Sequence, residues 1–284
     1  MRALDPEVLD AVWAAIEPLV PALVDEHPLG CHRPRSSNRD CFEVMLVRLS
    51  TGCSWEDAER LCGNKVSDTT VRERRDEWLA AGVFDTIAAE AMSAFDRIIG
   101  LDLSDVAVDG SLQKSPCGGE GTGKNPTDRG KLGWKWSVLT DRNGIPFGWT
   151  IDGANRNDSI LLTATLDDAG ERGLLGDIET IWLDRGYDSA VTRERLADRD
   201  LDDAVIAKKR KRGSPEKKKD QPMGLRWPVE RTNSWLSNFG QLRRSTDRKT
   251  VHRLAQLALA VTILLTAKLI DWRNRWSPHP SPIR

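Results

Sequence analysis

The chain has 284 residues, which is enough for one large domain or two modest ones. Its 39% hydrophobic and 30% charged residues are the composition of an ordinary soluble globular protein, and its net charge of −1 argues against a uniformly basic nucleic-acid binder. The charge is uneven, because residues 205–253 hold 15 Lys or Arg and only 4 Asp or Glu. That segment is either a local contact for a polyanion or a solvated charge run.

Cysteine usage and hydropathy bear on the compartment. The five Cys form no CxxC pair and no secretory signal precedes them, which predicts reduced thiols in the cytoplasm and no zinc site. The most apolar stretch, residues 254–270, is interrupted by Gln256 and Lys268. Its 17 residues are short for a membrane span, so we expect a buried core helix and no membrane association.

The first hundred residues carry helical patterns. Asp5 and Pro6 form a helix start, and apolar residues follow at the spacing of one helical face. A second helix is expected over residues 40–49. This part of the chain therefore predicts an all-α unit.

Two further helices lie close together across a short turn. Ser54 with Asp57 forms a capping box, and Ser67 or Asp68 caps the next helix, which ends at Gly82. This outline is typical of a helix-turn-helix, although an ordinary helical hairpin with a charged face has the same pattern. The second helix carries side chains suited to bases or phosphates, namely Thr69, Thr70, Arg72, Arg74 and Arg75.

From residue 101 onwards the pattern becomes mixed. We predict strands at residues 105–109, 131–141, 145–151, 178–184 and 203–207, and helices starting at Asn157-Asp158 and covering 189–199, 228–239 and 251–273. Asn143-Gly144 predicts a type I′ hairpin turn. The first three strands can form an antiparallel meander, whereas the later ones need crossover helices and join as parallel neighbours.

The glycine-rich stretch GGEGTGK, residues 118–124, resembles a phosphate-binding loop. The residue after Lys124 is Asn125 rather than Ser or Thr, and Pro116 and Pro126 disturb the strand and the helix that such a loop requires. We therefore predict no nucleotide cofactor. The stretch is expected to be a flexible loop that leaves the strand ending at Asp109.

Three carboxylates stand out by position. Asp109 and Asp184 each follow a short apolar run and precede Gly within two residues, as expected of strand ends in a mixed sheet. Glu230 lies in the first turn of the helix that Pro228 begins. Each position alone is also compatible with turn formation or a favourable helix dipole.

The ordered set of sequence blocks is more specific than its parts. In chain order the blocks are VAVDGS (106–111), GKLGWKWSVLTDRNGIPFGWTIDGANRND (130–158), LDRGYD (183–188) and RWPVERTNSWLSNFGQLRR (226–244). With these blocks the chain resembles bacterial insertion-sequence transposases of the DDE type, of the IS-five-like or IS-four-like group. The resemblance spans nearly the whole chain.

The resemblance implies a fold and a division into domains. The fold class is α/β, with a ribonuclease-H-like mixed-sheet catalytic domain preceded by an all-α, helix-turn-helix-type DNA-binding domain. The helical domain would cover residues 1–100 and the catalytic domain residues 101–276, with a basic loop at 208–225. Residues 277–284 are expected to be a disordered tail.

The resemblance also implies a reaction. Asp109, Asp184 and Glu230 map onto the family's metal-holding acids and would hold two Mg²⁺ ions, for which Mn²⁺ can substitute. Asp109 would bridge both ions. Water would cleave the DNA strand at the transposon end, and the freed 3′-hydroxyl would attack target DNA. The implied partners are double-stranded DNA, both terminal inverted repeats and target, and a second copy of the chain in the DNA complex.

The residues expected to contact DNA are mainly basic, with two threonines and one tryptophan. They are Thr69, Thr70, Arg72, Arg75, Lys124, Lys131, Arg185, Lys208, Lys209, Arg210, Lys211, Arg226, Trp227, Arg231, Arg243 and Arg244. The family's Tyr-Arg-Glu-Lys signature is incomplete, because Met223 and Ser237 stand at its Tyr and Lys positions. Arg231, Arg243 or Arg244 would then substitute. Trp227 and Trp235 would stack on a flipped base or pack in the core.

Several alternatives stay open from the residues alone. The chain could be a non-catalytic DNA-binding protein derived from a transposase, or a ribonuclease-H-like nuclease without strand transfer. Tyr187, the single Tyr, is a conceivable nucleophile, although no Arg/His/Arg framework accompanies it. Asp158 and Asp188 are interpreted as helix-capping residues.

Overall fold

The computed structural model describes residues 4–22, 35–208 and 227–276. The chain forms two compact units, one of Met1–Gly100 with Ala255–Arg284 and one of Leu101–Leu254. Residues after 254 thus group with the helical unit rather than with the sheet, while the assignment of functions to the two domains stays a prediction. Lys209, Arg210, Lys211 and Arg226, most of the predicted basic loop and the predicted tail lie outside the described residues.

The helical unit follows the predicted local signals. Its helices before residue 100 are α1 (Pro6–Ile16), α2 (Asn38–Thr51), α3 (Trp55–Leu61), α4 (Asp68–Ala80) and α5 (Val83–Ile98). The predicted caps are confirmed, since the side chains of Asp5, Ser54 and Ser67 accept backbone N–H bonds in the first turns of their helices. Buried Trp78 packs against Trp13 and centres the apolar core of this unit.

The second unit is built on a mixed sheet. Within the described residues its strands are β1 (Asp105–Lys114), β2 (Gly123–Lys124), β3 (Leu132–Thr140), β4 (Pro146–Gly153), β5 (Thr180–Leu183) and β6 (Ala204–Ile206). The sheet order is β2-β3-β1-β5-β6, and β4 pairs with β3. The pairs β1–β3 and β3–β4 are antiparallel, whereas β1–β5 and β5–β6 are parallel. The predicted α/β class, a mixed sheet preceded by an all-α region, is confirmed.

Helices lie between these strands and after them along the chain, and some of them pack against the sheet. They are α6 (Asp158–Glu171), α7 (Ala190–Ala197), α8 (Trp227–Ser237), α9 (Gly240–Arg243) and the first turn of α10 (Thr250–Trp276). By length and composition α10 could cross a membrane, but 61% of its apolar window is buried in the protein. That burial is typical of the core helix that the sequence predicts.

The strand β1 is longer than predicted. It runs five residues past Asp109 to Lys114, because residues 107–114 all pair with β3. The glycine-rich stretch was expected to be a flexible loop leaving β1 at Asp109, and this expectation is wrong. Residues 123–124 form β2 on the edge of β3, and the N–H of Ser245 extends the contacts by donating to the Lys114 carbonyl.

A buried arginine orders the glycine-rich stretch. The Arg253 side chain is fully buried and donates to the carbonyls of Gly118, Glu120 and Asp247. Backbone carbonyls of this stretch therefore surround a cation, whereas a phosphate-binding loop would direct its amides at an anion. The carbonyls of this stretch therefore bind an internal guanidinium.

The hairpin between β3 and β4 has a different turn from the one predicted. Gly144 has a positive φ of 74°, but Asn143 keeps a negative φ, so the turn is not type I′. The buried Asp141 carboxylate closes the turn by accepting the N–H groups of Asn143 and Ile145. This side-chain bonding replaces the second left-handed residue that a type I′ turn would need.

Candidate active site

The first predicted acid lies on β1, and the second directly follows β5, the parallel neighbour of β1. The pairs Asp105–Thr180, Val106–Ile181 and Ala107–Trp182 set the register of β1 with β5. Continued two residues beyond these pairs, the register would bring Asp109 level with Asp184, the residue that directly follows β5. The side chain of Asp184 also accepts the N–H of Gly186 at 2.6 Å, which fixes the carboxylate at the start of the following turn.

The carboxylates near the end of β5 converge on one buried phenol. Tyr187 is 1% exposed and lies in the turn after Asp184. Burial raises the pKa of its hydroxyl well above the ordinary value, and three nearby carboxylates raise it further, those of Asp158, Asp109 and Asp184. A buried phenol with a raised pKa is a poor nucleophile, so this environment disfavours the alternative in which Tyr187 attacks the DNA.

The third acid is carried by a helix that contacts Asp109. Glu230 is exposed in the first turn of α8, and Asn233 follows it one turn later on the same side. The Asn233 side chain donates from Nδ2 to Asp109 Oδ2 at 3.1 Å. Helix α8 therefore brings the Glu230 side of its surface to the strand that holds the first acid.

The β3–β4 turn fixes where α8 begins. Arg231 donates to the Asn143 carbonyl, and the Thr232 hydroxyl donates to the Gly144 carbonyl. A Cβ at Gly144 would lie 2.7 Å from the Pro228 carbonyl oxygen, so the close approach of turn and helix requires glycine there. These contacts fix the start of α8, and with it the backbone position of Glu230, relative to the β3–β4 turn.

Asp158 is a fourth carboxylate at the site, and the predicted capping role is wrong. Asn157 is the N-cap of α6, whereas Asp158 accepts a hydrogen bond from the buried Lys135 ammonium at 2.7 Å. A Cβ at Gly110 would lie 2.2 Å from Asp158 Oδ1, so the carboxylate rests against the bare backbone of β1. The sequence does carry a signal for this outcome, because Asn157, the residue before Asp158, can itself supply the helix cap.

The residues around the incomplete signature have structural partners. The guanidinium of Arg231 stacks on Trp227 at 4.2 Å and on Trp235 at 4.7 Å from the ring centroids. Ser237, at the family's Lys position, accepts a 3.4 Å hydrogen bond from Gln113 on β1. Met223, at the Tyr position, lies outside the described residues.

The chemistry of the three acids suits a hard divalent cation. Carboxylate oxygens are the preferred protein ligands of Mg²⁺, and Asp109, Asp184 and Glu230 offer only such oxygens. Across residues 4–22, 35–208 and 227–276, however, no three acidic, histidine or cysteine side chains are already gathered closely enough to hold an ion. The three acids are carried by β1, by the turn after β5 and by α8, and α8 contacts β1 through Asn233.

Comparison with known families matches both units. Residues 8–88 match the family described as "Putative transposase of IS4/5 family", and residues 94–265 match the family "Transposase DDE domain". The second match alone covers more than half of the chain. The chain belongs to the DDE transposase domain family. This family consists of nucleic-acid-processing enzymes, and the membership confirms the resemblance drawn from the sequence blocks.

Individual relatives of this DDE-family chain are partial matches. It is 38% identical over 133 residues to "Putative transposase for insertion sequence element IS402" from Burkholderia cepacia, covering 45% of this chain and 60% of the relative. It is 34% identical over 123 residues to "Insertion element IS402 uncharacterized 16.2 kDa protein" from the same organism, covering 43% of this chain and 82% of the relative. The chain thus spans less than two thirds of the first relative.

Two solved structures of another transposase show weak likeness. "Mos1 transposase paired-end complex with left transposon end" has a TM-score of 0.26 at 10% identity, covering 65% of this chain and 62% of the other. "Crystal structure of a pre-cleavage Mos1 transpososome" has a TM-score of 0.32 at 9% identity, covering 90% and 84%. Scores this low support no inference about the DDE-family chain.

The described basic residues of this family member are mostly available to solvent. In the sheet unit the exposed cations among those predicted to contact DNA are Lys124, Lys131, Arg185, Lys208, Arg243 and Arg244. Trp227 is 57% exposed and is the outer face of the stack on Arg231. The guanidinium of Arg231 already contacts two rings and a carbonyl, so few of its N–H groups remain for a phosphate.

The predicted DNA-reading helix α4 divides into an exposed and a buried side. Thr69 and Arg72 are exposed, and Thr70 is half-buried beside the cap residue Ser67. Arg75 is 8% exposed, with its guanidinium 5.4 Å from the centroid of Trp55, and Arg74 is also buried. We therefore keep Thr69, Thr70 and Arg72 on the DNA-reading face and leave the two buried arginines out of it.

Proposed function

We propose that the chain is a metal-dependent DDE transposase that cleaves DNA at the ends of its element and joins them to target DNA. Asp109, Asp184 and Glu230 would hold the metal ions. Two observations support this proposal: the parallel register of β1 with β5, which if continued would align the first two acids, and the Asn233–Asp109 hydrogen bond. That bond brings the helix of the third acid to the same strand.

Bound divalent ions would supply an activated water or 3′-hydroxyl and would neutralise charge on the phosphate. The protein's own part is to fix the carboxylates and to place the DNA strand. Asp184 is fixed by the Gly186 N–H and Asp109 by Asn233. Arg185, exposed directly after Asp184, is the cation best placed to steer a phosphate towards the acids.

DNA binding would use both units. The face of α4 with Thr69, Thr70 and Arg72 would read the terminal repeats, and the exposed cations of the sheet unit would track phosphates. We include Lys209, Arg210, Lys211 and Arg226 in this set on their charge alone, since they lie outside the described residues. A second copy of the chain would complete the DNA complex, and the compartment would be the cytoplasm.

The test is strand cleavage and joining on DNA that carries the element's own ends. Asp109→Asn, Asp184→Asn and Glu230→Gln should each abolish Mg²⁺-dependent cleavage and leave binding to the ends intact. The matched control is Asp167→Asn, an exposed carboxylate paired with Arg199 at 2.7 Å, which should retain cleavage. Full cleavage by any of the three variants removes that acid from the set. Nicked but unjoined products from the unaltered protein would instead indicate a nuclease.

A further inference from the structure

The side chain of Asn233 joins the first acid to a buried tryptophan. Asn233 is 8% exposed, and its Nδ2 donates to Asp109 Oδ2 at 3.1 Å. Its other end accepts a hydrogen bond from Trp136 Nε1 at 2.8 Å, and Trp136 is fully buried on β3. Three elements of the sheet unit, β1, β3 and α8, therefore meet in this chain of two hydrogen bonds.

The chemistry of the partners sets the direction of the amide. An indole N–H can only donate, so the carbonyl end of Asn233 must face Trp136. The NH₂ end must then face Asp109, whose ionised carboxylate can only accept. A reversed amide would bring two donors together at Trp136 and two acceptors together at Asp109. The orientation is thus determined by both neighbours.

We propose that Asn233 is a positioning residue that holds the Asp109 carboxylate in its metal-binding orientation, with Trp136 fixing the amide. This inference rests on the proposed function, in which Asp109 is a metal ligand. The bond holds the carboxylate of Asp109 at Oδ2 and so restricts its rotation. Because Glu230 lies one turn before Asn233, the same bond also fixes the helix of the third acid relative to the first.

The strand β3 offers a matched control for this proposal. Trp134 is fully buried two residues before Trp136, and the two rings pack edge to face with centroids 5.4 Å apart. In the described part of the chain, however, Trp134 Nε1 has no hydrogen-bond partner. Changing either residue to Phe removes a similar volume, but only Trp136→Phe removes a hydrogen bond to Asn233.

The experiment measures Mn²⁺ binding to the full chain by electron paramagnetic resonance, with Mn²⁺ alone as the probe. Asn233→Leu should weaken binding about 10- to 100-fold, as is typical when a group that orients a metal ligand is lost. Trp136→Phe should weaken binding by a smaller factor, and Trp134→Phe should leave it unchanged. Thermal unfolding without metal would show whether the two Phe variants are equally folded, so that any difference in affinity reflects the hydrogen bond.

The outcomes separate this inference from the function on which it rests. If Asp109→Asn abolishes Mn²⁺ binding while Asn233→Leu and Trp136→Phe bind as the unaltered chain does, the positioning role is overturned and the metal assignment stands. If Asp109→Asn binds Mn²⁺ normally, the metal assignment fails and the inference fails with it. Should Asn233→Leu not fold, equal affinities of the two Phe variants overturn the proposal.

Discussion

At Gly110 the backbone of β1 leaves room for a carboxylate from another element. Asp158 fills this space and pairs with Lys135, whose side chain is 6% exposed. A buried ammonium needs a partner, since an uncompensated buried charge is strongly destabilising. Gly110, Asp158 and Lys135 thus form one packed unit beside the predicted metal ligand Asp109.

We expect Gly110→Ala to destabilise the protein by about 1–3 kcal/mol, because the added methyl group overpacks the site and displaces Asp158. Asp158→Ser should also destabilise it, by leaving Lys135 unpaired. In the double variant the added methyl group meets a smaller side chain. The double variant should therefore lose less stability than the sum of the losses in the two single variants. Urea unfolding of the four proteins measures this coupling. Additivity within about 0.5 kcal/mol would show that the two positions do not contact each other.

Local patterns in the sequence single out the three acids as candidates, but they do not predict which residues contact them. Asp109 and Asp184 each end an apolar run, which is a local signal. The partners of Asn233 lie 124 and 97 residues away, and Lys135 lies 23 residues before Asp158. Such contacts depend on the register of the sheet and on the placement of α8, which no short stretch of sequence records.

Among the elements, the sequence predicted best where a helix has its own start signal. The caps at Ser54, Ser67 and Asn157 satisfy the first turns of their helices without help from distant residues. The length of β1 and the existence of β2 could not be predicted in this way. Both depend on pairing with β3, so a stretch rich in glycine becomes a strand only when β3 lies beside it.

The glycine-rich stretch should lose its order when its central cation is removed. Arg253→Met leaves the carbonyls of Gly118 and Glu120 without the donor that holds them, so the segment around β2 should open locally. We expect trypsin to cleave after Lys124 markedly faster in this variant. The control is Arg244→Met, which removes an exposed cation nine residues before Arg253. Equal cleavage rates in the two variants would show that Arg253 does not order the stretch.

For the whole molecule, the uneven charge predicts how the proposed DNA binding responds to salt. The net charge is −1, so long-range attraction to DNA must come from local clusters such as the exposed cations of the sheet unit. Replacing both Lys124 and Lys131 with Gln should lower the slope of log Kd against log salt by about 2, or about 1 for each lost phosphate contact. The control is Arg199→Gln, because Arg199 is paired with Asp167. An unchanged slope in the double variant would remove these lysines from the DNA surface.

The proposed function depends most directly on the metal site that Asp109, Asp184 and Glu230 are proposed to form. A crystal structure of the full chain soaked with Mn²⁺ tests it directly, because anomalous scattering locates the ions independently of the protein atoms. We expect the Mn²⁺ peaks to lie between Asp109, Asp184 and Glu230, with carboxylate oxygens as the protein ligands. Peaks at other carboxylates, with these three acids unliganded, would contradict the proposed centre.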